Sequence, residues 1–151
     1  MSGFIEITYD KFIFRVNKDC LYSKEGFWAH IEGRTATVGV ADFKQKTMGD
    51  VAFLQTVDPG TVVRQGAPAG VIETIKTTSD ILSPVSGRVT EINPNMQDSP
   101  HLINQDPHGA GWIYRIELAD PKTDAQGLLE AEAYCEIMKE HLSREAGKKN
   151  G

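Results

Sequence analysis

The sequence predicts a mainly β domain, a β-sandwich or flattened barrel accompanied by one C-terminal helix. Three observations carry this. Short runs rich in aromatic and β-branched residues fill the first two thirds of the chain, and turn residues separate them at regular intervals. After Asp120-Pro121 the apolar spacing changes to threes and fours. Strands of this kind each bury one face and must stack or close on themselves.

The elements follow in order. Residues 12–16, 27–31 and 35–40 read as strands, and Glu32-Gly33 joins the last two because glycine accepts the positive φ of a tight turn. Residues 42–49 read as a two-turn helix, capped by Asp42 with Gln45 three residues on and ended by Gly49. Strands resume at 51–54 and 61–64, with Pro59-Gly60 turning between them. A further pair, 70–75 and 80–85, flanks Lys76. A strand at 88–92 leads to a loop or short helix opened by Asn93-Pro94, and 111–118 is the last strand. Leu128, Ala131, Cys135, Met138 and Leu142 form an apolar stripe on one helix over 125–146. The stripe covers only about two heptads, so it is expected to pack back onto the sheets. Residues 147–151 are expected to fray.

At 151 residues the chain is long enough for one domain with its own core. The 16 basic and 21 acidic residues give a net charge of −5, and no basic stripe is visible, which argues against a nucleic-acid partner. No apolar run suits a membrane span, and the start lacks the basic and apolar regions of a signal peptide, so the expected location is cytoplasmic. Cys20 and Cys135 form no CxxC, and His30, His101, His108 and His141 are scattered, so no metal site is expected. The cysteines are expected as reduced thiols, with a disulfide between them the lesser alternative. Ser83, Ser86 and Ser99 sit in turns without an assignable base, so no catalytic residue is assigned.

The most informative stretch is Glu73-Thr74-Ile75-Lys76-Thr77-Thr78-Ser79-Asp80, followed by Ser83-Pro84-Val85-Ser86-Gly87. It reads as a hairpin presenting a single amine at its tip. Alone, Lys76 would be one exposed lysine among many. With Pro59-Gly60, Val63 and Gly66 upstream, the pattern resembles the swinging-arm domains that hold lipoate or biotin on one lysine. An ordinary lysine amine is mostly protonated at neutral pH, so selective acylation must come from presentation and an activated donor. Biotin domains flank their lysine with methionines, whereas Ile75 and Thr77 stand here. Dehydrogenase-type lipoyl domains place Asp before it, which Ile75 contradicts.

Tyr22-Ser23-Lys24-Glu25-Gly26-Phe27-Trp28, Ala36-Thr37-Val38-Gly39-Val40, Gly49-Asp50-Val51-Ala52-Phe53 and Asn104-Gln105-Asp106-Pro107-His108-Gly109-Ala110-Gly111-Trp112 resemble the H protein of the glycine cleavage system. The resemblance implies a barrel-sandwich hybrid fold and a non-catalytic carrier with lipoate covalently attached to Lys76. It gives Glu73 a part in recognition by the lipoylation machinery and Asp80 an acidic position in the arm's cleft. Trp28, with Phe27 beside it, is a candidate wall of that cleft, while Trp112 is expected in the core. Three segments follow: residues 1–20 as an N-terminal extension packing on the core, 21–120 as the carrier domain, and 121–151 as C-terminal helix and frayed tail.

Two departures stand out. Gly26-Phe27 replaces the His-Glu usual in glycine cleavage H proteins, removing a carboxylate that would oppose an aminomethyl cation. The N-terminal segment is also longer. Both features resemble H-like lipoate-binding proteins of sulfur-oxidising bacteria. The leading expectation is therefore an arm carrying a sulfur-bound intermediate for a heterodisulfide-reductase-like complex. The alternative is an aminomethyl carrier between glycine decarboxylase and aminomethyltransferase, and a second alternative is an unlipoylated regulatory or binding module. A lipoate ligase or lipoyl transferase and dihydrolipoamide dehydrogenase complete the implied partners.

Overall fold

The computed structural model describes residues 3–150, the side chains of residues 146–150 excepted. Two sheets share one core. The larger runs in the order β3 (Leu21–Tyr22), β4 (Phe27–Glu32), β5 (Thr35–Val40), β11 (Tyr114–Leu118), β10 (Gly87–Ile92) and β7 (Val62–Val63). The smaller is β6 (Val51–Thr56), β8 (Pro68–Thr74) and β9 (Thr78–Leu82), in that order. All strand pairs are antiparallel. Val38, Val40 and Ile116 of the larger sheet meet Leu54, Ile72 and Ile81 of the smaller one in a single buried cluster. Fully burying each such side chain contributes about 1.5–3 kcal/mol. Tyr114 ties the sheets polarly as well: its hydroxyl donates to the Ala69 carbonyl at 2.8 Å and accepts the Val57 N–H at 2.9 Å. This is the mainly β, barrel-sandwich arrangement expected from the sequence.

Several boundaries differ from expectation. The 61–64 strand shrinks to β7, and the 111–118 strand begins only at Tyr114 because Gly111 is pressed into a turn. A side chain on Gly111 would lie 2.5 Å from the Leu102 carbonyl oxygen. The short helix α1 (Asp42–Met48) forms where expected, but Asp42 does not cap it. Asp42 is buried in the first turn, accepting the Arg15 N–H at 2.8 Å, Gln45 Nε2 at 2.8 Å and Lys46 Nζ at 3.0 Å.

The N-terminal segment holds a strand the sequence reading did not separate. β1 (Phe4–Tyr9) pairs with β2 (Phe12–Asn17) through a turn at Asp10, whose φ of 55° is one that Asp tolerates better than most residues. Ile5, Ile7, Phe14 and Val16 pack with Tyr134, Cys135 and Met138.

The expected single helix over 125–146 is two helices. A four-residue α2 (Leu102–Gln105) precedes them in the chain, and α3 (Pro121–Gln126) ends at Gly127, where a side chain would lie 2.4 Å from Gln65 Oε1. Leu129 then bridges to Tyr22, and α4 (Ala131–Asn150) starts afresh. Leu128 therefore leaves the helical stripe and packs on the barrel core, while Ala131, Cys135, Met138 and Leu142 meet the N-terminal hairpin. The tail expected to fray falls among residues whose side chains, and for Gly151 the backbone, lie outside the described set. Cys20 and Cys135 are unpaired and buried, and burial pushes the Cys20 thiol up to about 12, so it carries little thiolate. No helix among the described residues is long and apolar enough to cross a membrane.

Candidate functional site

β8 ends at Thr74 and β9 begins at Thr78, leaving Ile75-Lys76-Thr77 as the hairpin tip. Thr74 holds this turn closed. Its backbone N–H donates to the Thr77 carbonyl at 2.8 Å. Its hydroxyl accepts the Thr77 N–H at 3.0 Å and the Lys76 N–H at 3.4 Å, and donates to the Thr77 carbonyl at 3.1 Å. A buried hydroxyl with three partners makes the turn a defined shape, and sequence reading passed over it.

The tip is also anchored outside the hairpin. The Ile75 N–H donates to the Asp50 carbonyl at 3.2 Å. Asp50 is fixed in turn by Asn104, which grips the residues on both sides of it. Asn104 Nδ2 donates to the Gly49 carbonyl at 3.0 Å and to Gln45 Oε1 at 3.1 Å, while Oδ1 accepts the Val51 N–H at 2.9 Å. The stem of Lys76 passes Gly49 so closely that a Cβ there would lie 3.1 Å from Lys76 Cε and 3.7 Å from Nζ. With its φ of 87°, Gly49 both ends α1 and leaves a channel for the lysine.

Lys76 is exposed, and among the described residues it joins no ion pair. The residues present fit a covalently attached arm: a protruding amine on a stiff turn, with a glycine where any side chain would crowd it.

Glu73 and Asp80 lie on the outer face of the smaller sheet. Glu73 sits between Phe53 and Thr78, and Asp80 stands opposite Val71, one pleat farther from the tip. The two rings expected to wall a cleft are instead closed to solvent. Phe27, 1% exposed, belongs to the barrel core, with Lys44 Nζ 5.2 Å above its ring. Burial lowers the Lys44 pKa, and Glu25 partly opposes that shift. Trp28, 2% exposed, points to the opposite face, where Nε1 donates to the Pro107 carbonyl at 3.0 Å and the ring stacks on His108. Gly39 makes room for it, since a Cβ there would lie 2.7 Å from the indole. Trp112 is only half-buried, with the Arg115 guanidinium 4.3 Å over its ring.

Residues 20–141 match the protein family described as Glycine cleavage H-protein, so β1 and β2 precede the matched segment. Among relatives, a glycine cleavage system H protein of Symbiobacterium thermophilum is 43% identical over 125 residues, 83% of this chain and 97% of the relative. One from Thermus thermophilus is 42% identical, covering 82% of this chain and 95% of its own. The crystal structure of a glycine cleavage system H protein from Mycobacterium marinum superposes with a TM-score of 0.70 at 32% identity, covering 78% of this chain and 94% of that one. The matched segment, the level of identity and the shared architecture agree, and the chain belongs to the glycine cleavage H-protein family, whose members are non-catalytic carriers of lysine-bound lipoate.

Proposed function

We propose that this chain is the lipoyl carrier of a cytoplasmic glycine cleavage system, with lipoate in amide linkage to Lys76. It would shuttle the aminomethyl unit from glycine decarboxylase to aminomethyltransferase, with dihydrolipoamide dehydrogenase restoring the oxidised arm. The observation that carries the reading is Lys76 itself, exposed on a turn held by Thr74 and Asp50 in a chain of this family.

Attachment asks little chemistry of the carrier. A lipoate ligase or lipoyl transferase supplies an activated acyl donor. With an acyl–nucleotide anhydride, the C–N amide bond forms at Nζ and the acyl C–O bond breaks. The nucleotide leaves with the electron pair, and the nitrogen, starting as an ammonium, releases two protons to solvent. When bound, the dithiolane supplies the reversible S–S chemistry by which cargo is taken up and released. The chain's own residues present the amine and keep the turn rigid, and Glu73 and Asp80 mark the face that partners meet.

The relatives named above are described as glycine cleavage proteins, which favours this reading over a sulfur-bound cargo. One observation still speaks for the latter: Phe27 places an apolar ring beneath a cation, Lys44, where the family pattern has a carboxylate. The test is intact-mass spectrometry followed by loading with glycine decarboxylase of the same organism. The expected result is a lipoyl mass increment, lost in Lys76→Arg, and glycine-dependent loading at a rate typical of the family. Protein that stays unmodified in its own host would refute the carrier reading, and lipoylated protein that refuses the aminomethyl group would favour sulfur.

A further inference from the structure

We propose that the outer face of the smaller sheet is the docking surface for the enzyme that acylates Lys76, with Phe53 and Ile75 as its apolar anchors. The proposal rests on the carrier reading above.

Phe53 faces outward because of a β-bulge. Val51 pairs with Thr74, yet it is Phe53 that pairs with Glu73, so Ala52 is an extra residue in β6. In a regular strand, residues 51 and 53 share a face, and Phe53 would turn inward with the buried Val51. The inserted residue sends it to the side occupied by Glu73 and leaves it 50% exposed. The same bulge turns Leu54 into the core alongside Val51, so Phe53 is the residue it re-aims outward, and re-aiming a side chain is a common use of bulges.

Ile75, immediately before the lysine, is 78% exposed and held by its N–H bond to Asp50. Scattered exposed apolar residues are ordinary. Here two large ones stand on restrained backbone of the sheet that carries Lys76, Ile75 next to the lysine in the chain and Phe53 paired with Glu73, three residues before it. Phe53 also walls a groove of about 410 Å³ together with Ile92, Pro94 and Met96, a slot able to take a partner's side chain.

Charge narrows the occupant. Residues 50–56 and 68–82, which make up the sheet and its tip, carry three carboxylates, Asp50, Glu73 and Asp80, and Lys76 as their one cation. The complementary partner presents an apolar pocket with a basic rim around the acyl donor. The acylating enzyme must approach this tip closely enough to reach Nζ, and its footprint necessarily includes Ile75.

The experiment is steady-state acylation of the full chain by a bacterial lipoate–protein ligase with lipoate and ATP, read by intact mass. Wild type is compared with Phe53→Ser, Ile75→Ser and the double variant, and with Val62→Ser, an apolar residue 65% exposed on the larger sheet, as control. For anchors of this kind the expected KM for the carrier rises about 10-fold per substitution with kcat within about 2-fold. Circular dichroism and melting are expected to stay unchanged, and Val62→Ser to match wild type. Added salt should raise the wild-type KM more than that of Asp50→Asn/Asp80→Asn. An unchanged KM in the double variant overturns the proposal. So does a defect that appears only in loading by glycine decarboxylase, which would give the face to a downstream enzyme. Failure of wild type itself to be acylated, where another glycine cleavage H protein succeeds, would instead strike the carrier reading.

Discussion

His108 Nε2 lies 2.8 Å from the hydroxyl of Tyr22, and that hydroxyl already accepts the Asn17 N–H at 2.7 Å, leaving its own proton for the histidine. The ring is also stacked on Trp28 and met edge-on by Phe4. His108 thus joins the N-terminal hairpin to the carrier domain in its neutral form. Burial depresses its pKa to about 4, against opposing pulls from Asp42 and Asp106. The unfolded chain, with a histidine of about 6.5, binds this proton more readily than the fold does. Stability is therefore full above the unfolded value and is lost as pH falls from about 6.5 toward 4, by an amount on the order of 3 kcal/mol. Thermal melting across this window should show the decline, and His108→Gln should flatten it. Parallel profiles for the two proteins would exclude His108 as the source.

Gly49→Ala should disturb the lysine more than the fold. The substitution strains a backbone at φ 87° and sets a methyl 3.1 Å from Lys76 Cε. The expected cost in unfolding free energy is about 1–2 kcal/mol. The acylation rate at Lys76 should fall more steeply than that loss explains, which kinetics under fully folded conditions would show.

Thr74→Val removes the hydroxyl that closes the tip while keeping its shape. Exchange of the Lys76 and Thr77 amides should accelerate, with a stability loss of about 1–2 kcal/mol. Thr74→Ser keeps the hydroxyl and should restore protection. Amide exchange followed by NMR separates the two, and equal protection in all three proteins would remove Thr74 from this role.

Asn104→Ala leaves the Val51 N–H and the Gly49 carbonyl without their present partner. Chemical denaturation should show a loss of about 2–3 kcal/mol. Faster exchange at the Ile75 amide should accompany it, because the Asp50 carbonyl is no longer held from both sides.

Much of this was legible locally. The lysine hairpin announces itself through β-prone runs on either side of a polar step, and the Glu32-Gly33 turn through its glycine. β1 was missed because its turn, Asp10-Lys11, takes a positive φ without glycine and so sends no turn signal. The break between α3 and α4 did have a signal, Gly127, which the continuing apolar spacing outweighed. Phe53 was invisible as a surface residue, since a bulge depends on the register of a partner strand. The contacts of Asn104 with Gly49 and of His108 with Tyr22 join residues distant in sequence, and no periodicity encodes them. The expected sulfur cargo leaned on Gly26-Phe27 and on the longer N-terminal segment, and the Phe27 side chain is a core residue.

The hydroxyl of Tyr114 reaches from one sheet to the other, bonding Ala69 and Val57 near the far end of the strand that leads to Lys76. The two layers are tied together at that end, so the tip is a post on a braced wall. An arm on Lys76, as proposed, would carry its cargo about the length of the lysine and its extension. Any greater distance would then fall to the whole protein, leaving one enzyme and diffusing to the next.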